Sequence, residues 1–400
     1  MSVPADHASE AAVAIAERRR GLAAAISSAT VFGVGIGLAG PLLSLLLEAR
    51  GTDARLTGLN AAATFIGVIL GPLLTPVSVR RMGIRSFLLL CLALDVGFFL
   101  LLKIFDDIVS WFVLRMVLGT VGSAMFTATE AWINLLAEGR SRGRVVGLYA
   151  AALSAGFGTG PVLLSITGID GWPPFLAAAA TNAVAGAPLL FVGDSVRDLG
   201  REPAGNPLTL ALRAPFIFTI VALFGCFESA LMALLPVWGV RIGLGETLAA
   251  TCLTAIYFGA IALQLPIGWL SDKLARVAAL RLCAGIGLLG AGLVLLLGAS
   301  AVPALFLVLF LWGGFATGIY PVALSMAGER FSASELVAAN AAMIIAYGLG
   351  AFVGPPLGGV AMDLWNPRGL LAMLTLLFAP LTALSLAQGG ARDREDQPPS

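Results

Sequence analysis

Long apolar runs, separated by short polar segments, dominate this chain. Each run holds about 20 residues or more, enough for an α-helix rising ~1.5 Å per residue to cross a ~30 Å hydrocarbon layer. Strands that span a membrane alternate apolar and polar positions over about ten residues, and these runs do not. The pattern predicts an all-α membrane protein with twelve spans, at 21–47, 56–79, 84–104, 109–136, 144–167, 174–193, 212–240, 247–270, 277–299, 303–328, 334–363 and 368–387.

Composition supports the membrane assignment and excludes several function classes. Of the 400 residues, 58% are hydrophobic and 12% are charged, and the mean hydropathy is +0.95. A net charge of +1 excludes the strongly positive electrostatic field that nucleic-acid binding requires. The four cysteines fall inside spans without CxxC spacing, so we expect neither a disulfide nor a metal site. One histidine, His7, and no P-loop indicate no triad, no ATP hydrolysis, no cofactor and no enzyme.

Basic residues predict the orientation. Eighteen of the 24 Lys and Arg residues fall on the side of the two termini, five fall on the other side, and Arg115 lies inside a span. The positive-inside rule places both termini in the cytoplasm of a bacterial inner membrane. The predicted domains are a tail (1–20), a six-helix bundle (21–193), a linker (194–211), a second six-helix bundle (212–387) and a tail (388–400).

An internal repeat relates the two bundles. Four residues recur 194 positions later, and the loop "PVSVRRMGIR" aligns with "GWLSDKLARV" at an offset of 192. Such repeats in membranes indicate two bundles that rock about a central site. The glycines, at small-residue spacing, predict close helix packing. The motif residues are Gly119 with Gly313, Gly147, Gly156 with Gly350, Gly160 with Gly354, and Pro161 with Pro355.

Three motifs resemble those of the major facilitator superfamily of secondary transporters. "GWLSDKLAR" at 268–276 is similar to its cytoplasmic loop motif, and "RMVLG" at 115–119 to its fourth-helix arginine motif. "GLYAAALSAGFGTGP" at 147–161 matches the fifth-helix motif associated with antiporters, with Leu164 and Ser165 in place of the trailing Gly-Gly. The chain looks most similar to a YcaD-like branch near the drug efflux pumps. The resemblance implies a monomer that moves a small-molecule substrate by alternating access.

Ionisable residues inside spans are costly and are therefore candidate functional residues: Asp95, Arg115, Glu130 and Glu228. Asp95 and Arg115 lie at similar depths, ~14 and ~10 Å, so an ion pair could hold their helices in register. Glu130, ~9 Å from its helix end, could instead contact the Arg-rich loop that follows.

Glu228, at ~12 Å, shares the level of Arg115, and the resemblance places both helices along the transport cavity. Burial favours a neutral carboxylic acid whereas a nearby guanidinium favours the carboxylate, so Glu228 could load and release one proton per cycle. A substrate contact and a structural role are the alternatives.

The loops predict a charge-swapped cytoplasmic latch. In the resembled family a loop aspartate faces a helix start, which suits Asp272, next to Lys273, against Arg142 and Arg144. The aligned position in the first half carries Arg80. "SASE" at 332–335 predicts a capping box, so Glu335 or Glu329 could receive Arg80. The alternative is that these arginines only obey the positive-inside rule.

The function that we expect is proton-coupled export of small amphipathic or hydrophobic molecules. Polar groups on the cavity helices would contact the substrate. Proton-coupled nutrient uptake and a non-transporting receptor or lipid-binding protein are the alternatives. The cavity candidates are Asn60, Tyr149, Gln264, Tyr320 and Tyr347.

Overall fold

The computed structural model describes residues 5–136, 142–193, 207–332 and 335–395, and this part is helical without strands. Helices follow from the apolar runs, because a spanning segment must satisfy its backbone hydrogen bonds internally. The helices are α1 (Ala5–Ala49), α2 (Ala54–Met82), α3 (Ile84–Ile104), α4 (Ile108–Leu136), α5 (Arg142–Thr167), α6 (Pro173–Gly186), α7 (Pro207–Arg213), α8 (Pro215–Arg241), α9 (Gly245–Lys273), α10 (Arg276–Leu297), α11 (Val302–Thr317), α12 (Ile319–Arg330), α13 (Leu336–Leu364) and α14 (Gly369–Glu395).

The predicted spans correspond to helices in the described ranges. Ten segments are long and apolar enough to cross a membrane, among them Pro215–Arg241 and Ala338–Leu364. Two shorter apolar helices, Ala151–Thr167 and Gly369–Ala383, account for the fifth and twelfth predicted spans. The all-α membrane fold predicted from the hydropathy pattern is therefore confirmed.

The tenth predicted span is not one continuous helix. α11 ends at Thr317 and α12 begins at Ile319, with Gly318 between them. Pro321 explains the break: it has no N–H to donate to the Thr317 carbonyl, and its ring crowds that carbonyl. Thr317 instead donates its hydroxyl back to the carbonyls of Gly313 and Gly314. The break places Tyr320 in the first turn of α12.

Several other helix ends differ from the predicted spans, and two helix starts have a clear local cause. α1 begins at Ala5 rather than at 21, because the preceding residues, rich in Ala, Glu and Arg, are good helix formers without Gly or Pro. The seventh predicted span begins at 212, whereas α8 begins at Pro215, after the short α7. Proline is favoured at the first helical position, where its missing N–H costs nothing.

The chain forms two compact units. Unit 1 comprises 1–39, 66–163 and 170–201, and unit 2 comprises 40–65, 164–169 and 202–400. The later part of α1 and the earlier part of α2 therefore belong to unit 2. Most of the predicted linker, 194–211, lies outside the described residues, so the predicted bundle boundary stays a prediction.

Glycine contacts repeat between the halves. A Cβ on Gly33 would meet the Leu153 carbonyl at 2.6 Å, and a Cβ on Gly225, 192 positions later, would meet the Tyr347 carbonyl at 2.3 Å. Gly67 approaches the Met116 carbonyl as Gly259 approaches that of Phe310. The partners 153 and 347, and 116 and 310, are 194 positions apart. The pseudo-symmetry predicted from the sequence repeat is confirmed by these backbone contacts.

Candidate functional site

The site is centred on the carboxylate of Glu228, in the middle of α8. Most of its neighbours along α8 are buried, including Cys226, Phe227 and Ser229. Tyr347 of α13 donates its hydroxyl proton to Glu228 Oε2 at 2.8 Å. The bond satisfies one oxygen of a carboxylate that would otherwise lie among apolar groups.

Glycines bring α8 and α13 close enough for that bond. A Cβ on Gly350 would lie 1.8 Å from the Ala222 carbonyl oxygen, and one on Gly354 would lie 2.1 Å from the Cys226 carbonyl oxygen. The two backbones therefore touch where the sequence motif places its glycines. Pro355, next in the motif, has its carbonyl against Gly58 of α2, where a Cβ would be 2.1 Å away.

Aromatic rings cluster around Tyr347, the hydrogen-bond partner of the Glu228 carboxylate. The Phe224 ring lies 5.8 Å from that of Tyr320 and 6.3 Å from that of Tyr347, and the two tyrosine rings meet edge to face at 6.3 Å. Tyr257 of α9 interacts electrostatically with Glu228 and with Tyr347. Of the four tyrosines in the chain, three thus belong to one cluster that contains Glu228 and its partner Tyr347.

The acid is not sealed in the core. Glu228, Tyr320 and Tyr347 are half-buried, whereas Tyr257 is buried. A small molecule that reached these side chains would meet one carboxylate, phenol hydroxyls and ring faces. This combination suits a mostly apolar ligand with a polar or cationic group.

Asp95 and Arg115, both in unit 1, do not pair with each other. Asp95 accepts a hydrogen bond from the Asn182 amide of α6 at 2.5 Å. Arg115 donates to the Ala39 carbonyl at 3.4 Å. The suggested ion pair is absent because equal depth in the membrane does not make two side chains face each other. The suggested pairing of Arg115 with Glu228 joins two units and stays a prediction.

The other three cavity candidates are in different settings. Tyr149 belongs to unit 1, where its hydroxyl lies 3.5 Å from Thr129 Oγ1 and interacts electrostatically with Glu130. Asn60 has no exposed surface, and its amide atoms have no hydrogen-bond partner among the described residues. Gln264 is exposed. A cavity role for these three residues stays a prediction.

The structure describes part of the predicted latch. The side chains of Asp272, Arg142 and Arg144, and the surroundings of Gly147, lie outside the described residues. Lys273 lies over the Trp269 ring, with Nζ 3.8 Å from its centroid.

The two candidate acids of the latch have partners within unit 2. Glu335 pairs with Arg213 at 2.5 Å, and Glu329 pairs with Arg276 at 2.9 Å. Glu335 Oε2 also accepts from the Ser332 N–H at 3.1 Å, which is the return bond of a capping box. The suggested contact of Arg80 joins two units and stays a prediction.

A polar cluster that sequence reasoning missed lies within unit 2, where α1, α8 and α13 end. Arg241 donates to both carboxylate oxygens of Glu48 at 2.8 Å, the bidentate geometry that makes such pairs strong. Asp363 accepts from the N–H groups of Ala54 and Arg55, the first two residues of α2. It thereby satisfies two amides at the positive end of that helix.

Sequence reasoning also missed Tyr257 and Asn182. Counting tyrosines could have suggested Tyr257, because the chain has only four tyrosines against 22 phenylalanines. Asn182 could have been noted as a polar residue inside an apolar run.

The chain matches the family model described as "Major Facilitator Superfamily" over residues 25–290 and 242–399. It belongs to the Major Facilitator Superfamily. As a member it is a secondary transporter that works by alternating access. The sequence resemblance stated above is thereby confirmed.

Relatives in this superfamily are similar along most of their length. The "Uncharacterized MFS-type transporter YfkF" of Bacillus subtilis is 25% identical over 359 residues, which cover 87% of this chain and 90% of the relative. The "Uncharacterized MFS-type transporter YcaD" of Escherichia fergusonii is 26% identical over 358 residues, covering 87% and 91%.

Solved structures of superfamily transporters share the fold. A bacterial homolog of the human lysosomal transporter Spinster, in an inward-facing and unoccupied conformation, has a TM-score of 0.75 at 12% identity, covering 96% of this chain and 99% of that one. The nucleoside transporter NupG has a TM-score of 0.69 at 14% identity, covering 92% and 98%. At these identities the likeness concerns the fold alone.

Proposed function

We propose that this transporter exports small amphipathic or hydrophobic molecules in exchange for protons, with Glu228 as the coupling residue. The observation that carries the proposal is the half-buried Glu228 carboxylate, bonded to Tyr347 within a cluster of aromatic rings. Among the described residues of the second half, Glu228 is the one carboxylate that lies in the middle of a membrane span rather than at its end.

Proton and substrate would compete for the same acid. With Glu228 protonated, the site is neutral and stable without a ligand. With Glu228 ionised, the buried charge favours a ligand that brings a positive or hydrogen-bond-donating group. Since either partner, but not both, satisfies the carboxylate, each passage of substrate one way would accompany a proton the other way.

The aromatic lining would supply the remaining affinity. Phe224 and Tyr320 present ring faces to an apolar body, and the phenol hydroxyls offer hydrogen bonds. These contacts are tolerant of shape, so they favour a range of amphipathic compounds over one nutrient. As the basic residues predict, the protein would lie in the bacterial inner membrane with both termini in the cytoplasm. This is a location from which an exporter can move molecules out of the cell.

The cluster around Arg241 would act as a gate. Alternating access requires contacts that form in one state and break in the other. The fork between Arg241 and Glu48 and the capping of α2 by Asp363 hold parts of four helices together at one end of unit 2. Their loss would free the α1 and α2 segments in the opposite state.

The decisive experiment is transport by Glu228→Gln in proteoliposomes, with ethidium as an amphipathic cationic probe. We expect the variant to lose accumulation driven by an imposed proton gradient while keeping a weaker ethidium counterflow, because glutamine keeps the shape and the aromatic lining remains but the side chain cannot exchange a proton. Glu246→Gln, an exposed glutamate in the first turn of α9, is the matched control. Unchanged uphill transport by Glu228→Gln would refute the coupling role, and proton-driven uptake by the parent would identify a symporter instead.

A further inference from the structure

A buried carboxylate lies beside a buried amide in unit 1. Asp95 of α3 is 5% exposed and Asn182 of α6 has no exposed surface. Asn182 Nδ2 lies 2.5 Å from Asp95 Oδ2. Gly35 of α1 closes the third side, since a Cβ there would lie 3.7 Å from Asp95 Oδ1 and 3.8 Å from Asn182 Nδ2. Three helices therefore enclose the pair.

The described surroundings provide no positive charge for an ionised Asp95. Its recorded polar partner is the Asn182 amide, and Arg115 is bonded to a backbone carbonyl. The other titratable group that interacts with it is the Cys91 thiol, buried on the same helix and neutral. A single neutral donor compensates poorly for a carboxylate removed from water inside a membrane protein.

The amide supplies an independent observation. Asn182 Oδ1 is buried and has no hydrogen-bond donor among the described residues. A buried acceptor left without a donor destabilises the folded protein. A protonated Asp95 has the O–H group that this oxygen lacks, so one proton would remove the buried charge and give the amide oxygen a donor.

The geometry of the contact is compatible with that state. Asn182 Nδ2 and Asp95 Oδ2 lie within hydrogen-bonding distance of each other. Since the amide oxygen and nitrogen of an asparagine are assigned from their hydrogen bonds, a contact between the Asp95 hydroxyl and the Asn182 oxygen fits the same geometry.

We propose that Asp95 and Asn182 form a proton-binding site in unit 1 that is occupied at neutral pH. Asp95 takes the proton from water onto one carboxylate oxygen, and Asn182 is the positioning residue that accepts a hydrogen bond from the resulting hydroxyl. A metal cation is the less suitable ligand, because hard cations take about six or more oxygens. The described residues also contain no group of three His, Cys, Asp or Glu side chains that could hold a metal.

Infrared spectroscopy of the purified protein at neutral pH tests the proposal. The double variant Glu228→Gln with Glu130→Gln serves as the background, so that the two other membrane-embedded acids do not contribute. We expect this background protein to show the C=O absorption of a buried carboxylic acid, and the same protein with Asp95→Asn to have lost that band. Identical spectra in the two proteins would overturn the proposal.

A second variant separates the hydrogen bond from a merely structural role. In Asn182→Ala the acid loses its acceptor, so its C=O band should move to higher frequency. An unmoved band would show that Asn182 is not the partner and would overturn the assignment. This readout also serves if Asp95→Asn fails to fold.

Thermal unfolding with different salts examines the competing cation. We expect equal melting temperatures in sodium and potassium chloride for the parent, and little change at neutral pH in Asp95→Asn, in which a neutral amide replaces a neutral acid. A stabilisation specific to sodium that Asp95→Asn abolishes would show a metal-cation site and overturn the proton assignment. None of these outcomes depends on proton coupling by Glu228, so the proposal is tested separately from the proposed function.

Discussion

In the first half of the chain, Phe32 stacks on Phe126 with ring centroids 4.9 Å apart, and in the second half the equivalent Phe224 faces Tyr320 at 5.8 Å. The pairs are related by the repeat, with offsets of 192 and 194 positions. A ring contact is present at this place in both halves, stacked in the first and tilted in the second, and the second adds a hydroxyl.

The same offsets relate the central pair of the candidate site to apolar residues. Tyr347 corresponds to Leu153, and Glu228 corresponds to Ile36. Backbone contacts support the first correspondence, because Gly33 meets Leu153 as Gly225 meets Tyr347. The repeat therefore supplies a common scaffold, and a few polar side chains in one copy supply the chemistry that we propose.

For Asp95 and Asn182 the comparison is reversed, because the polar residue lies in the first half and its apolar counterpart lies in the second. Asp95 corresponds to Gly287 at an offset of 192. A Cβ on Gly287 would lie 2.3 Å from the Phe378 ring of α14. In the second half, the Phe378 ring thus occupies the space next to Gly287. In the first half, the side chain of the hydrogen-bonded Asp95 occupies the equivalent space. Asp95 in the first half and Glu228 in the second therefore occupy different places in the repeat.

The largest effect should come from the shared scaffold. A Cβ on Gly350 would lie 1.8 Å from the Ala222 carbonyl, and one on Gly156 would lie 2.6 Å from the Thr30 carbonyl. Because helix backbones must separate to admit it, Gly350→Ala should lower the free energy of unfolding by about 3 kcal/mol. Gly156→Ala should also lower the free energy of unfolding, but by less. Thermal unfolding in detergent measures both effects.

The matched control is a glycine with open space. A Cβ on Gly285 in α10 would meet nothing within 4 Å. Gly285→Ala should therefore be neutral or gain up to about 1 kcal/mol from the better helix former. Equal melting temperatures for Gly350→Ala and Gly285→Ala would contradict the tight packing that the comparison assigns to the repeat.

An intermediate effect should come from the chemistry that only the second half has. Tyr347→Phe removes the hydrogen bond donated to Glu228 Oε2. A bond to a charged group contributes about 1.5 kcal/mol or more, and its loss makes the carboxylate hold a proton more tightly. The pH at which ethidium transport is half-maximal should rise by about one unit.

Tyr149→Phe is the control for this shift. Tyr149 is the one tyrosine outside the Glu228 cluster, and its hydroxyl lies near Thr129 in unit 1. We expect its pH profile to match that of the parent. A parent-like profile for Tyr347→Phe, or the same shift in both variants, would mean that the asymmetry between the halves does not govern coupling.

Much of this architecture could be predicted from the sequence, because hydrophobic length determines where a chain crosses a membrane. The repeat was visible in glycine spacing, since only glycine permits contacts such as that of Gly354 with Cys226. The broken tenth span also had a signal in Pro321, although its hydropathy alone indicates a continuous helix.

Side-chain partners could not be predicted in the same way. Helical rise gives the depth of a residue, and on that basis Asp95 and Arg115 looked like a pair. The rotation of each helix about its axis depends on packing against neighbours, and in the structure it directs Asp95 to Asn182. The same limitation concealed Tyr257, whose position depends on how α9 packs beside α8.

The smallest effect should distinguish how the two halves anchor their first helices. In the first half Arg18 donates to the Leu136 carbonyl at the end of α4 at 2.9 Å. In the second half Arg213, at the end of α7, donates to the Glu335 carboxylate, which precedes the span of α13. The bonds from Arg213, and then from Ser332, lower the pKa of Glu335 from 4.5 to about 2.

Only the second anchor should depend on pH. Because the pKa of Glu335 is lowered by folding, its contribution to stability is present above pH 4.5 and is lost as the pH falls towards 2. Glu335→Gln should make the melting temperature of the protein depend less on pH across this window. The effect should be small, since the pair is exposed and screened. Arg18→Gln should lower the melting temperature equally at each pH, because a carbonyl does not titrate. A Glu335→Gln curve parallel to that of the parent through the acid window would contradict this difference between the anchors.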